Sequence, residues 1–288
     1  MKRPFEYSFT RYLSSKKSVD DRALNQHVFQ TLRKEIGSDS RRKTLEALEI
    51  GAGIGTMIER MRNWGLFDSS AGITAIDHDA ENIQAARERL SGSVTRLELE
   101  TIDIFDFVER EGGHRQWDLL IAHAFLDLVD SRKLLPLLCG LLKPTGLAYF
   151  TINFDGATLL EPSIDPALDA LIEGLYHRTM DERTVAGERS GDSQTGRHLF
   201  ERLAGAGYDV LAAGSSDWVV HPRQGAYVDD EAYFLHFIIH TIHHALRDLL
   251  ELEKPVLAHW VEQRHRQIEN GQLVYIAHQI DFLATPAR

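Results

Sequence analysis

From Thr44 onward the chain alternates short apolar runs with amphipathic stretches. Leu45 to Ile50, Gly72 to Ile76, Leu97 to Ile104, Asp118 to Ala122 and Leu147 to Asn153 each have the length and apolar character of a buried strand. Between them, Met57 to Trp64 has helical character. Asp79 is placed to cap a helix through Leu90, on which Ile83, Ala86 and Leu90 share one face. Leu134 to Leu142 reads as a helix stopped by Lys143-Pro144-Thr145-Gly146. Strands alternating with helices predict a parallel sheet covered by helices on both faces.

The two ends depart from that rhythm. Residues 1–40 read as an arm of two helices. Ser18 to Asp21 is a cap region, Leu24, Val28, Leu32 and Ile36 form one apolar stripe, and Gly37-Ser38-Asp39-Ser40 ends it. After Asn153 come a helix from Pro166 to Tyr176, a polar stretch from Ala186 to Gln194 and a helix from Arg197 to Ala204. Tyr208 to Val220 is a strand broken at Gly214-Ser215-Ser216. A long helix from Asp229 to Leu252, capped by Asp229 or Asp230, precedes a second that Pro255 opens and Asn270-Gly271 ends. Leu273 to Leu283 is the last strand. In such a sheet the two C-terminal strands pair as a hairpin. Here residues 225–270 separate them, a long connection that suggests a lid or a homodimer element. The pattern therefore predicts a doubly wound α/β sheet of seven strands, Rossmann-like, in a domain spanning 41–288, with a helical arm (1–40) and a helical insertion before the last strand.

Composition narrows the partners. The 288 residues carry 43 acidic and 32 basic side chains, a net charge of -11, which disfavours broad binding to nucleic acid. The run Arg41-Arg42-Lys43 reads as a solvated turn before a strand. Cys139 is the single cysteine, so no disulfide forms within the chain and no cysteine-based zinc site is possible, which suits a reducing cytoplasm. No apolar signal region follows Met1-Lys2-Arg3-Pro4, and no run reaches the roughly 20 apolar residues that span a bilayer. A cytoplasmic protein without a membrane segment is expected.

The chemistry concentrates in Glu49-Ile50-Gly51-Ala52-Gly53-Ile54-Gly55-Thr56, between a strand and a helix. Glycines there permit a tight turn and close approach of a ligand to the backbone. Their spacing is G-x-G-x-G, with Thr56 where a dinucleotide site has Gly or Ala, and no Walker lysine follows. A carboxylate at Glu49 repels a pyrophosphate but suits a cationic amino group. Asp77, 26 residues after Gly51, ends the next strand, where a carboxylate can accept hydrogen bonds from ribose hydroxyls. The plainer reading is that Asp77 and Asp79 cap the next helix; the ribose role is preferred for Asp77 and the cap role for Asp79.

With these residues in place, 45–155 resembles the class I S-adenosylmethionine (SAM)-dependent methyltransferase family, nearest to its small-molecule, quinone-biosynthesis-like branch. The matching residues are Glu49-x-Gly51-x-Gly53-x-Gly55, Ala75-Ile76-Asp77, Thr101 to Ile104, Trp117 to Ile121 and Leu142-Lys143-Pro144-x-Gly146. The resemblance implies that Asp103 receives the adenine amino group, that Ile104 offers its backbone N–H to the ring and that His78 packs along it. It implies too that the arm folds over the cofactor, bringing Tyr12 to SAM or to the acceptor, although Tyr12 also fits an ordinary surface helix. A weaker resemblance runs from Gly196-Arg197-His198 to Asp217-Trp218, making His198 and Trp218 candidate acceptor contacts.

The acceptor side is less legible. The end of the fourth strand reads Ala122-His123-Ala124-Phe125, without the Pro-Pro-aromatic motif of many amino-methylating enzymes. His123 is either a general base or a backbone contact to the cofactor, and the positional role is preferred. His236, His240, His243 and His244 share one helix. They suit either a divalent metal or, preferred here, a polar stripe in which His240 and His244 line the acceptor pocket. The expected function is methyl transfer from SAM to a small organic acceptor at O, S or C, with no metal. An RNA or protein methyltransferase, or a SAM-binding subunit without chemistry of its own, are the alternatives.

Overall fold

In the computed structural model, residues 2–38, 44–92, 96–185 and 187–287 are described. The basic run Arg41-Arg42-Lys43, the helix-ending Asp39-Ser40 and Ala186 lie outside them. Two units divide the chain. One comprises residues 24–155, 194–216 and 279–288, the other 1–23, 156–193 and 217–278.

The main sheet has strands β1 (Glu46–Ile50), β2 (Gly72–Asp77), β3 (Arg96–Thr101), β4 (Trp117–His123), β5 (Leu142–Glu161), β6 (Tyr208–Ser215) and β7 (Val274–Pro286). Their order is β3-β2-β1-β4-β5-β7-β6. Pairs β1–β2, β1–β4, β2–β3 and β4–β5 are parallel, and β6 runs antiparallel to β7. This is the doubly wound, Rossmann-like sheet that the alternation predicts. Helices Thr56–Asn63, Ala80–Leu90, Ile104–Glu111, Ser131–Gly140 and Thr195–Gly205 connect the strands. Chain direction across the sheet reverses between β1 and β4, and ligands of open α/β sheets bind beyond the strand ends at such a point.

The pleat sorts the side chains. Leu48 and Ile50 of β1 join Leu120, Ala148, Phe150 and Phe282 in one apolar core, against Phe107, Leu134, Leu138 and Leu199 of the helices. Alternation then sends Glu49 to the opposite face, in register with Ala75 of β2 and Ile121 of β4. Ile121 is in turn in register with Tyr149.

Two local differences from the sequence reading have clear causes. The third strand ends at Thr101, three residues earlier than expected. Asp103 turns the chain there, its Oδ1 accepting the Phe105 N–H at 2.7 Å, and Ile104, Phe107 and Val108 begin an apolar helical face. The fifth strand is longer than its apolar run, 20 residues. Within it Ile152 has φ 57°, a strained conformation for a β-branched residue. Asp281, fully buried, holds it: one carboxylate oxygen accepts the Ile152 N–H at 2.7 Å and the other the Asn25 N–H at 2.8 Å.

The second unit is mainly helical. It holds Phe9–Ser15, Lys17–Ala23, Pro166–Asp181, Glu231–Leu246 and Lys254–Glu269, and a three-residue strand Trp218–Val220 pairs antiparallel with Tyr275–Ala277. The arm thus contains three helices, counting Gln26–Ser38 of the first unit. The helix expected from Asp229 to Leu252 is shorter at both ends. Neither aspartate caps it through its side chain: Asp230 at the N-cap makes no such bond and instead takes two hydrogen bonds from Arg11, at 2.9 and 3.0 Å. Among the described residues no helix is long and apolar enough to cross a membrane.

Trp218 and Asp20 anchor this unit's strand to its first helices. The indole N–H donates to Asp20 Oδ1 at 2.9 Å, and Lys16 Nζ lies 3.2 Å from Oδ2 of the same fully buried carboxylate. A buried carboxylate that loses a donor forfeits more than a surface one. Trp218→Phe keeps most of the apolar area and is expected to cost about 1–2 kcal/mol. Urea unfolding checks this as a lowered midpoint with an unchanged slope.

Candidate cofactor site

The C-terminal ends of β1 to β4 bring together the residues singled out in the sequence. β1 ends at Ile50 and the glycine loop follows. Gly51, Gly53 and Gly55 all have positive φ, at 63°, 53° and 75°. Only glycine holds that geometry without strain. Space forbids a side chain as well: a Cβ on Gly51 would clash with the Phe125 ring, and one on Gly55 would sit 2.8 Å from Leu90 Cδ1. The loop is therefore fixed twice, by backbone conformation and by packing.

Asp77 ties that loop to β2. Its Oδ2 accepts the Gly53 N–H at 2.8 Å, and its Oδ1 accepts the Asp79 N–H at 2.9 Å and Asn82 Nδ2 at 3.3 Å. The backbone adds two ties: Ala52 N–H donates to Ile76 O at 3.0 Å and Ile102 N–H to Asp77 O at 2.9 Å. Asp79 caps the following helix, accepting the Glu81 N–H at 2.8 Å. A carboxylate has about four acceptor positions, so with three donors Asp77 retains one.

Glu49 is the anomaly. It is 2% exposed, and its Oε2 has no hydrogen-bond partner. Burial pushes its pKa up to about 8; the Arg60 guanidinium partly offsets this and Asp77 adds to it. Arg60 is itself buried, on the helix that starts at Thr56. An uncompensated buried carboxylate costs several kcal/mol of desolvation unless it stays protonated or meets a cation.

Asp103 and His78 stand at the outer strand ends. Asp103 is exposed, with one oxygen engaged in capping the helix that Ile104 begins. The His78 side chain is 81% exposed, with Nδ1 3.6 Å from Asp77 Oδ1. At the end of β4, His123 is buried and its Nδ1 lies 2.8 Å from Thr151 Oγ1. Ala124 follows at φ 51°, its N–H bound to Thr151 O at 2.8 Å. This bend turns Phe125 over Gly51. Three residues here escape a reading of the sequence: Arg60, Phe125 and Thr151. Phe125 has a weak signal, its place just after the fourth strand. Arg60 and Thr151 have none, because their roles exist only once the strands are paired.

The other candidates have the following surroundings. His198 lies with Arg132, Glu201 and Arg202 along a cleft of the first unit, its Nδ1 3.3 Å from Arg202 Nη2. In the second unit, Tyr12 stacks on Phe237 with centroids 4.2 Å apart and on Phe234 at 5.8 Å. Trp218 packs edge-on against the same Phe234. His240 stacks on Tyr7 at 4.1 Å and lies 6.3 Å from His244. Burial, with a smaller push from His244 and His243, holds the His240 imidazole below the usual range. His236 points inward instead, its Nδ1 2.8 Å from Nδ1 of His265, both rings buried. Among the described residues no three His, Cys, Asp or Glu side chains are grouped to hold a metal ion.

No protein-family model matches the chain, and no curated protein matches it. Several solved structures are similar to it at low identity. The cyclopropane synthase MmaA2 from Mycobacterium tuberculosis is similar over 98% of this chain and 100% of its own, at 10% identity and TM-score 0.48. The plantazolicin methyltransferase BpumL, solved in complex with a pentazolic desmethylPZN analog and S-adenosylhomocysteine (SAH), is similar over 96% of this chain and 91% of its own, at 15% identity and TM-score 0.47. The [4+2]-cyclase SpnF is similar over 97% of this chain and 94% of its own, at 14% identity and TM-score 0.45. Strand order and parallel pairing, seen directly in the molecule, make the first unit a Rossmann-like α/β fold.

Proposed function

We propose that the protein is an enzyme that binds SAM at the ends of β1 to β4 and transfers its methyl group to a small organic acceptor. The observation that carries this is Glu49, a buried carboxylate with an unpartnered oxygen, beside a loop in which Gly51 and Gly55 have no room for a side chain. A nucleotide whose other end bears a cationic amino group supplies what that carboxylate lacks, whereas a pyrophosphate would meet its charge. The residues present fit such a ligand along its length. Glu49 takes the ammonium, the loop lies under the amino-acid portion, and Asp77 has an acceptor position for a ribose hydroxyl. Asp103, with one oxygen outside its cap, stands where the adenine amino group is expected, next to the Ile104 N–H and the exposed His78 ring.

When bound, SAM supplies a methyl group already activated on a sulfonium, so the protein's part is alignment and exclusion of water. Glu49 and Asp103 fix the two ends of the cofactor and Asp77 its ribose. Gly51 and Phe125 shape the floor beside it. His123, held through Nδ1 by Thr151, acts in positioning the end of β4.

Calorimetric titration of SAM and SAH into the wild-type protein tests the reading. One saturable site per chain for both ligands is expected, after which candidate acceptors are screened by SAH release. Absence of binding by either ligand would sink it.

A further inference from the structure

Ile152 in β5 and Ala124 after β4 both have positive φ, 57° and 51°. A side chain crowds its own backbone in that region, and a β-branched one most of all. Of the four non-glycine residues with positive φ among the described residues, these two meet at a single peptide group. The Thr151 carbonyl accepts the Ala124 N–H at 2.8 Å. The Ile152 N–H donates to Asp281 Oδ1 at 2.7 Å. That carbonyl and that N–H are the two ends of one planar, rigid unit. Asp281 therefore grips one end of the plane and Ala124 the other.

The φ of Ile152 is the rotation that sets this plane against the rest of β5. Were Ile152 to relax to an ordinary negative φ, the plane would turn and its carbonyl would leave Ala124. A carboxylate on the N–H opposes that turn and polarises the peptide, so that its oxygen accepts more strongly. β7 meets the next residue too, Asn153 Nδ2 donating to Ile280 O at 2.8 Å. Asp281 and Asn153 are fully buried, so bulk water is not at hand to replace these bonds. On the other side of the plane, Thr151 is in register with His123 and holds its Nδ1 through Oγ1 at 2.8 Å. Ala124 then turns Phe125 against Gly51, so closely that a Cβ on that glycine would clash with the ring.

We infer that Asp281 is a positioning residue of the cofactor site: through the Thr151–Ile152 peptide it holds the bend at Ala124 that sets Phe125 against the glycine loop. It touches no ligand in this role. Its effect on the cofactor rests on the proposed SAM site, whereas the relay from Asp281 to Ala124 stands without it. The second carboxylate oxygen has a different task. Asp281 Oδ2 accepts the Asn25 N–H at 2.8 Å, just before the helix Gln26–Ser38, and Asn25 Oδ1 accepts the Val28 N–H of that helix at 3.1 Å. This contact supplies a control. Asn25→Ala removes the bond to Val28 and that from Asn25 Nδ2 to Ser215 O, yet keeps its own N–H on Asp281.

Hydrogen exchange of the full chain, read amide by amide with NMR, tests the relay without any ligand. Asp281→Ala is expected to lower protection of the Ala124 amide at least about tenfold relative to the amides of β1, and to shift the His123 ring signals. Asn25→Ala should lower the melting temperature but keep that ratio within about twofold of wild type. In an Ile152→Gly background the positive φ needs no restraint, so adding Asp281→Ala should cost Ala124 less than about threefold. If Asp281→Ala does not fold, Asp281→Asn replaces it; one amide oxygen cannot serve both N–H groups, and the ratio should fall at least about threefold. Calorimetry with SAM then reads the cofactor effect, about tenfold weaker in Asp281→Ala and unchanged in Asn25→Ala. An unchanged Ala124 ratio in the Asp281 variant, an equal loss in Asn25→Ala, or an equal loss in both Ile152 backgrounds overturns the inference. So does full SAM affinity in a variant that has lost protection at Ala124. Absence of SAM binding in the wild type counts against the SAM reading alone and leaves exchange to decide the relay.

Discussion

Replacing Glu49 by glutamine is expected to make the protein more stable and its cofactor binding weaker, with the stability gain depending on pH. In the folded protein burial raises the Glu49 pKa to about 8, against an ordinary value of 4.5. Between those values the folded chain keeps a proton that the unfolded chain gives up, so this residue's contribution to stability declines as pH rises. It is most favourable below about pH 4.5 and reaches its minimum above about pH 8. Glutamine has no such titration. The gap between variant and wild type should therefore be small near pH 4.5 and widen to the order of a few kcal/mol near pH 8.5. It grows by at most about 1.4 kcal/mol for each pH unit crossed, and structural relaxation reduces it. Parallel urea titrations across that range check it; a gap that does not change with pH would show that Glu49 is not protonated in the fold. Binding has the opposite sign. An ammonium beside Glu49 favours the carboxylate, so SAM binding near neutral pH should release close to one proton and tighten as pH rises. Calorimetry in two buffers of different ionisation enthalpy measures that release directly. Glu49→Gln should abolish it and weaken SAM by about ten- to a hundredfold, or about 1.4–2.7 kcal/mol.

Asp77→Ala carries the second large effect, because one carboxylate serves both the fold and the ligand. Removing it leaves the Gly53 and Asp79 N–H groups and Asn82 without their acceptor. Hydrogen bonds to a charged group contribute about 1.5–3 kcal/mol each, partly recovered here by water, so a stability loss of about 2–4 kcal/mol is expected. Cofactor affinity should fall by at least about a hundredfold, combining the lost ribose contact with a loop no longer held in its binding shape. Asp77→Asn separates the two contributions. An amide oxygen can still accept the Gly53 N–H, but the amide NH2 then faces the Asp79 N–H and Asn82 Nδ2, so the variant should recover only part of the stability. It should bind SAM about tenfold more weakly than wild type, since the amide replaces a charge-assisted acceptor. Equal affinity in Asp77→Ala and wild type would place the nucleotide away from β2.

The residues that hold these effects differ in how visible they are along the chain. Strands β1, β2 and β4 and the helices after β1 and β2 follow from apolar period and capping, and the structure has them within a residue or two of the expected positions. The glycine loop, Asp77 and Asp79 are legible because their geometry is local: three left-handed glycines and two carboxylates at a strand end need only a few neighbours to define them. The third strand looks too long in sequence because Asp103 resembles part of an apolar run until its cap to Phe105 is seen. The long helix looks too long because Asp229 and Asp230 have the chemistry of caps, while Arg11, 219 residues away, takes Asp230 for an ion pair.

By itself, then, the sequence determined the alternation of strands and helices, the place of the glycine loop and the row of acidic residues at the strand ends, since these depend on period and on nearest neighbours. Tertiary structure decided what those residues experience. Only strand pairing places Glu49 on a face closed by Arg60 and strips its oxygen of partners. Only pairing of β4 with β5 brings Thr151 to His123, 28 residues away. Asp281 reaches Ile152 across 129 residues to hold a strained backbone. In the second unit Arg264 Nη1 donates to Pro162 O across 102 residues. Burial, desolvation and long-range contact have no period along a chain, and so they were decided by the fold.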